Sequence, residues 1–420
     1  MGKRTRDRVE LETPAELREI LRARGVSDAL IARALAAGLA PGQLVGWSYW
    51  RKLDTADVEQ LVSWHERWTV GDLRGREVTE ADAAAFCELW ENSPEELGDV
   101  EITVLRGPDA FAQFRLQSDV HMHVLADGNV IVASCGWARR KVEIAGQRVS
   151  VSYGQALRVH KNYRRMGLGD AVRCISRAMT TSGPDIGQYD IMRSGNFAVV
   201  GWWEKHVPGF FENTPRRENE VPGLPVTVAQ LPARSAGGAN PRVRPARRDD
   251  LAVCTALLNR THGGLDLFRP YTEERLEEVL DEGYWGPRSA WFPAVYGWPD
   301  YFVLESGGRV RACAGLWDRG RDLRERIRNR KTGAERTLAG ASLLDWGFEA
   351  GAESGMAELV AELAGRTAAL GRDFLSVSLD HQPELAKSLE AREPAVETRY
   401  LRWGNRDLPI VRPYTDLRYW

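Results

Sequence analysis

Cysteine is scarce in this sequence: five residues in 420, at Cys87, Cys135, Cys174, Cys254 and Cys313, far apart and with no C-x-x-C pair. That spacing argues against a disulfide framework or a zinc site, and buried free thiols are the default reading. No run of about 18 apolar residues occurs, so no membrane-spanning helix is predicted. The basic start Met1-Gly-Lys-Arg-Thr-Arg-Asp-Arg8 runs into Val-Glu-Leu-Glu rather than an apolar stretch, so no secretory signal is predicted. An excess of one charge is absent too: 57 basic against 59 acidic residues, net −2. Such a balance argues against a general nucleic-acid binder. Lysine is rare, 7 against 50 arginines, which we read as a genome composition bias. The expectation is a soluble, cytoplasmic protein with no nucleic-acid or membrane partner.

What the chain does have is length and apolar content. At roughly 100–200 residues per domain, 420 residues predict two or three domains. A hydrophobic share of 43% excludes a disordered chain. The 15 tryptophans suit cores, apolar pockets and interfaces. Residues 14–68 read as helical, with Leu17, Ile20, Leu21, then Leu30, Ile31 and Leu35 at helical spacing. We take 1–72 as a helical N-terminal extension. From Arg76 the pattern changes. Thr79 to Asp82 opens a helix, and Phe111 to Gln117 fits another. Val120–Leu125 and Val130–Trp137 flank Ala126-Asp-Gly-Asn129 as a hairpin, Ala145-Gly146 is a second turn, and Val149–Val159 is a long strand.

Seven of the 20 prolines fall between Pro208 and Pro245, and 235–242 is the best linker. Beyond it come a strand and capped helix at 242–251 and a hairpin around Gly307-Gly308. An amphipathic helix through Met356, Leu359, Val360 and Leu363 follows, then a strand at 374–379. A short helix at 383–391 and strands at 398–403 and 414–420 complete the chain. The halves 73–234 and 243–420 share one order of elements, as an internal duplication would. The basic run Arg319 to Lys331 reads as a solvated loop or helix. His121 and His123 share a strand face, but no third ligand accompanies them, so no metal is expected.

The strongest local signal is Val159-His-Lys-Asn-Tyr-Arg164-Arg165-Met166-Gly167-Leu168-Gly169-Asp170-Ala171, which holds R-x-x-G-x-G between a strand and a helix. Chance alone supplies roughly 0.5 such matches at this composition, so the setting carries the weight. Gly167 and Gly169 allow a tight turn and close approach of a ligand. The first helical N–H groups lack internal partners and carry the positive end of the dipole, which suits a pyrophosphate.

The segment resembles the GNAT N-acetyltransferase superfamily, whose motif is [QR]-x-x-G-x-[GA] at this junction. Downstream, Asn196 to Phe210 is similar to the family's N-x-x-A-x-x-x-Y-x-K-x-G-F, stretched by two residues. The resemblance covers about 75–235 and, by element order, 243–420. It implies an α/β (α+β) fold of two tandem mixed β-sheets flanked by helices. It also implies acetyl-CoA or another acyl-CoA as co-substrate, without a metal. The pyrophosphate would sit on the backbone N–H groups from Arg165 to Ala171, with Arg164 adding positive charge nearby, Leu157, Arg158 and Val159 along the pantetheine arm, and Asn196 and Trp203 lining the cofactor. An N–H of that strand would polarise the thioester carbonyl, and an acceptor amine would attack directly in a ternary complex.

Such a mechanism needs a base and an acid. The family's usual base position holds Tyr153, with Gln155 next on the same face. Its usual acid, a tyrosine, is replaced by Trp203. Tyr189, His206 and Tyr153 are the replacement acids, and His160 is a further base with a suitable free pKa. In the second half, Ala352-Glu-Ser-Gly355-Met-Ala357 keeps G-x-[GA] but carries Glu353 where phosphate would bind, so this copy is expected to be degenerate. The reading is an N-acyltransferase, first of all an N-acetyltransferase, acting on a small-molecule amine, with homo-oligomerisation left open. An acyl-CoA sensor, a GNAT-like decarboxylase and an interaction protein are the competing readings.

Overall fold

The computed structural model describes residues 14–36, 55, 58–59, 73–117, 119–164, 168–169, 185–193, 196, 223–234, 240–282, 295–379, 381–403 and 408–420. The helices used below are α1 (Pro14–Ala23), α2 (Asp28–Ala36), α3 (Ala83–Glu91), α4 (Ala112–Arg115), α5 (Leu251–His262), α6 (Glu273–Glu282), α7 (Glu353–Ala369) and α8 (Pro383–Leu389). The strands are β1 (Leu73–Glu77), β2 (Glu95–Leu97), β3 (Val100–Arg106), β4 (Val120–Asp127), β5 (Val130–Ile144), β6 (Gln147–Val159), β7 (Asp185–Arg193) and β8 (Leu224–Pro232). They continue with β9 (Val243–Pro245), β10 (Tyr301–Ser306), β11 (Arg309–Trp317), β12 (Leu323–Asn329), β13 (Glu335–Phe348), β14 (Phe374–Ser378) and β15 (Ala395–Trp403).

The chain forms two compact units. One is drawn from Met1–Ser93, His121–Trp137 and Gly154–Asp185, the other from Pro94–Val120, Ala138–Tyr153 and Ile186–Trp420. In the first unit, α1 stops where Gly25 turns left-handed at φ 79°. The Val26 N–H then reaches back to the Leu21 carbonyl at 3.0 Å, closing orphan carbonyls at the helix end. Leu21, Val26, Leu30 and Ile31 are buried by this turn. β1 runs antiparallel to β4, Leu73 opposite Asp127 and Glu77 opposite His123. β4 turns into β5 at the expected place, with Gly128 at φ 57°.

One local device appears once in each unit. Asp82, ahead of α3, accepts the Thr79 N–H at 2.8 Å and a two-pronged Arg76 guanidinium at 2.6 Å on both arms. Asp250, ahead of α5, accepts the Arg247 N–H at 2.8 Å and both arms of Arg244 at 2.7 and 2.9 Å. In each case an arginine six residues earlier, at the end of the preceding strand, locks the helix entry. The hydrogen bond from Arg76 lowers the pKa of Asp82, and that from Arg244 lowers Asp250.

The second unit is built on a mixed sheet in the order β7-β15-β8-β14-β13-β11-β10-β9. β13 and β14 are parallel, and the other pairs in this series are antiparallel. β8 lies between β14 and β15, which come some 150 residues later in the chain (Leu375 opposite Leu231, Thr398 opposite Thr227). α7 covers this sheet with Met356, Leu359, Val360 and Leu363, packed with Leu343, Leu375 and Val377. Burying each such side chain contributes about 1.5–3 kcal/mol.

Two expectations are corrected in this unit. The basic run forms a short 3-10 turn, Arg319–Arg321, and then β12, which pairs with β3 and β13. Its charges are matched from far along the chain: Arg193 to Glu325 at 2.5 Å, Arg330 to Glu96 at 3.1 Å and Lys331 to Asp99 at 2.5 Å. The segment 414–420 is not a strand. Every residue of it is buried, and Leu417–Tyr419 forms a 3-10 turn capped by the Asp416 carboxylate on the Arg418 N–H.

Candidate functional site

The end of β6 is where sequence and geometry converge. Ala145 and Gly146 form a two-residue turn, both at positive φ, which sets Ile144 opposite Gln147. Continued without a break, that register would put Val132 opposite Val159. Instead the His160 N–H bonds the Val132 carbonyl at 2.9 Å, so β6 has gained a residue. The insertion is visible at Ala156, which is left-handed at φ 55°. Such a bulge bends a strand and breaks its ladder. Beyond it Leu157 is 43% exposed, Arg158 lies over the Trp90 ring at 4.4 Å, and Val159 is half-buried.

The chain then turns through Lys161–Tyr163, held by the Lys161 N–H on the Asn92 carbonyl at 2.9 Å. Tyr163 donates its hydroxyl to Asp127 at 3.2 Å. Arg164 is half-buried, and Leu168 and Gly169 have helical backbone. Leu168 is buried, whereas a Cβ at Gly169 would meet no atom of the described residues within 4 Å. A bulged strand end, exposed at Leu157, is therefore followed by helical backbone at Leu168 and Gly169. Arg165, Met166, Gly167, Asp170, Ala171, Trp203 and His206 lie outside the described residues, and Asn196 is half-buried.

The proposed acids and bases divide by unit. Tyr153 and Tyr189 are buried in the second unit. Tyr153 donates to the Tyr419 carbonyl at 2.5 Å, and its ring packs on those of Tyr189 and Tyr419. Arg140 donates to the Tyr189 hydroxyl. Burial pushes both phenols well up in pKa, so neither is poised to shed a proton. Gln155 and His160 belong to the first unit and are half-buried. His160 Nδ1 accepts the Asn162 N–H at 3.2 Å. Burial, then Lys161 and Arg164, lowers its pKa, leaving the ring neutral at pH 7. His121 stacks on Trp137 at 4.5 Å. No group of three or more side chains suited to a metal occurs among the described residues.

In the second unit, β13 carries the same irregularity. Cys313 faces Gly347 but Gly315 faces Leu344, so β13 has one extra residue, and Asp345 is left-handed at φ 45°. No sequence signal marks either bulge. This one is closed. The Asp345 carboxylate accepts Tyr271, Tyr296 and Arg418. The Tyr296 hydroxyl sits 1.8 Å from where a Cβ on Gly315 would be. α7 begins with Glu353, an acidic first turn. A cavity of about 670 Å³ beside α7, lined in part by Leu231, Arg234, Ser354 and Glu358, is a groove along the helix flank rather than an opening at this bulge.

No protein-family model matches the sequence, and no curated protein sequence matches it. Solved structures do. Saccharomyces cerevisiae N-myristoyltransferase with bound myristoyl-CoA matches with a TM-score of 0.54 and 12% identity, over 82% of this chain and 87% of that one. A further structure of the yeast enzyme, with myristoyl-CoA and inhibitors, matches with 0.54 and 11%, over 83% and 87%. At such identities the likeness establishes the fold and assigns no residue a role.

Proposed function

We propose that this chain, whose fold is that of the GNAT acyltransferases, is an acyl-CoA-dependent N-acyltransferase with one working site. The observation that carries the reading is the bulged end of β6, exposed at Leu157, followed by helical backbone at Leu168 and Gly169, where a Cβ meets no described atom. A thioester arm can lie along the bulged end of β6 at Leu157–Val159, and a pyrophosphate can rest on the N–H groups beyond Arg164. The second copy in this tandem reading has its bulge filled by Tyr296 and Arg418, and serves as scaffold.

In the mechanism, the amine attacks the thioester carbonyl, the C–N bond forms as the C–S bond breaks, and backbone N–H groups stabilise the oxyanion. Of the acid–base residues the sequence suggests that lie among the described residues, His160 is the one we carry forward, since it is titratable, half-buried and neutral at pH 7. His160→Ala is expected to lower kcat and remove the acid limb of the pH–rate profile, the limb lying below about 6.5 because the folded pKa is depressed. An unchanged profile would reassign proton removal to water.

Acetyl is the first acyl group to test and a small-molecule amine the first acceptor. The myristoyl-CoA bound by the yeast enzyme makes a long acyl chain the second. The deciding assay is thiol release from acetyl-, octanoyl- and myristoyl-CoA with a panel of amines. Amine-dependent release supports the transferase. CoA binding without turnover favours a sensor, a reading to which the inert Tyr153 and Tyr189 lend support. Gly169→Glu should fold, because a Cβ there meets no described atom within 4 Å. It should also weaken CoA binding at least about 100-fold by placing a carboxylate against phosphate. Wild-type CoA affinity in this variant would refute the placement.

A further inference from the structure

A bulge removes a carbonyl from the strand ladder, and a buried carbonyl left without a partner is costly. The Ala156 carbonyl is not left so. It accepts the hydroxyl of Ser134, on β5, at 2.8 Å, and Ser134 is fully buried. The second copy solves the same problem in the same way, the Asp345 carbonyl accepting the Tyr301 hydroxyl at 2.9 Å. What differs is the far side of the peptide. At Asp345 protein side chains fill the bulge, whereas at Ala156 the next residue, Leu157, is exposed.

The peptide joining Ala156 to Leu157 is planar and trans, so its C=O and N–H point in opposite directions. Anchoring the carbonyl on the buried Ser134 hydroxyl therefore turns the Leu157 N–H away from β5. We propose that Ser134 is a positioning residue for acyl transfer: it fixes the peptide whose Leu157 N–H donates to the thioester carbonyl. The proposal rests on the acyl-CoA reading of this strand. Ser134 touches neither donor nor acceptor, and it acts only through the backbone. A donor misaimed by a rotated peptide stabilises the developing oxyanion less, while the pyrophosphate grip, several residues downstream, is untouched.

The test compares Ser134→Ala, Ser134→Thr and Tyr301→Phe in the full chain. Ser134→Ala is expected to lower kcat about 10- to 100-fold, with the Kd for CoA itself within about threefold of wild type. Ser134→Thr restores the hydroxyl and should recover much of kcat. Tyr301→Phe removes the matching bond in the closed copy, and should lower thermal stability while leaving kcat and KM unchanged. Independently of turnover, hydrogen exchange read by mass spectrometry should quicken at 156–159 in Ser134→Ala and not in Tyr301→Phe. Wild-type kcat in Ser134→Ala, unaltered exchange at 156–159, or a kcat loss shared equally with Tyr301→Phe would overturn the assignment while leaving the acyl-CoA reading intact. A wild-type chain that neither binds CoA nor releases thiol would overturn that reading and the assignment with it.

Discussion

Asp345→Ala is expected to lower the unfolding free energy by about 3–5 kcal/mol, the loss typical of removing one partner from a buried charge pair. Asp345 and Arg418 are 0% and 2% exposed in their side chains. Removing the carboxylate leaves a buried guanidinium with Asp416 as its remaining acidic partner, at 3.2 Å. It also strands the hydroxyls of Tyr271 and Tyr296, each of which donates to Asp345. Each unsatisfied buried group adds about 1–3 kcal/mol, and these losses overlap rather than sum. Domains are stable by only about 5–15 kcal/mol, so the variant should sit near its folding limit at 37 °C. Asp345→Asn keeps the shape, tolerates the left-handed backbone and can still accept one tyrosine, so a smaller loss is expected. Urea midpoints of the three proteins measure this. A shift in Asp345→Ala equivalent to less than about 1 kcal/mol would mean the cluster contributes little to stability.

That cluster illustrates what the residue order could and could not reveal. Turns were legible where a glycine is required: Gly128 between β4 and β5, and Gly307-Gly308 between β10 and β11, all at positive φ. The α7 helix was legible because its apolar face repeats at 3.6 residues. The bulges were not: Ala156 is of a type that sequence rules do not place at positive φ, and Asp345, of a type enriched there, sits inside an apolar strand run with no turn signal beside it. The burial of Tyr153 and Tyr189 was equally hidden. Alternation along a strand puts a residue on one face or the other, but only the packed structure shows that Arg140 and the Tyr419 carbonyl meet those hydroxyls.

Composition also misled where charge is satisfied at long range. Arg319 to Lys331 reads as a loop or helix, yet most of it is the strand β12, and its Glu325, Arg330 and Lys331 meet Arg193, Glu96 and Asp99 from more than a hundred residues away. The insertion of β8 between β14 and β15 has no local signature either, because antiparallel and parallel neighbours use the same apolar alternation. One consequence is mechanical. β8 completes a sheet whose strands β9–β11 and β13–β15 all come after residue 242, so this sheet cannot close from residues 243–420 alone.

The second large effect is a dependence of stability on pH between about 6.5 and 4, traced to His262. Its ring is buried, its Nε2–H donates to the Trp346 carbonyl at 2.7 Å, and it lies against Trp346, Tyr414 and Phe268. Burial lowers its pKa to about 4, and the Trp346 bond and the more remote Asp416 and Asp345 only partly oppose this. The unfolded chain binds its proton near 6.5. Between the two values the unfolded state holds more protons than the folded one, so stability falls as pH falls through this window. A drop of about 2.5 units corresponds to about 3 kcal/mol lost by pH 4. Above pH 7 this residue adds no slope. Asp300, held up at about 6 by burial, titrates in the same window with the opposite sign. The informative quantity is therefore wild type minus His262→Phe, which cancels the Asp300 contribution. His262→Phe strands the Trp346 carbonyl and should be less stable at pH 7, yet its urea midpoint should change less between pH 7 and 4.5. Below pH 4 both proteins should lose stability together. The carboxylates of Asp82 and Asp250, lowered by Arg76 and Arg244, protonate there, followed by Glu397, held at about 2 by Arg399 and Arg193 against its burial. Parallel lines for the two proteins between pH 7 and 4.5 would show that His262 is not the group that titrates.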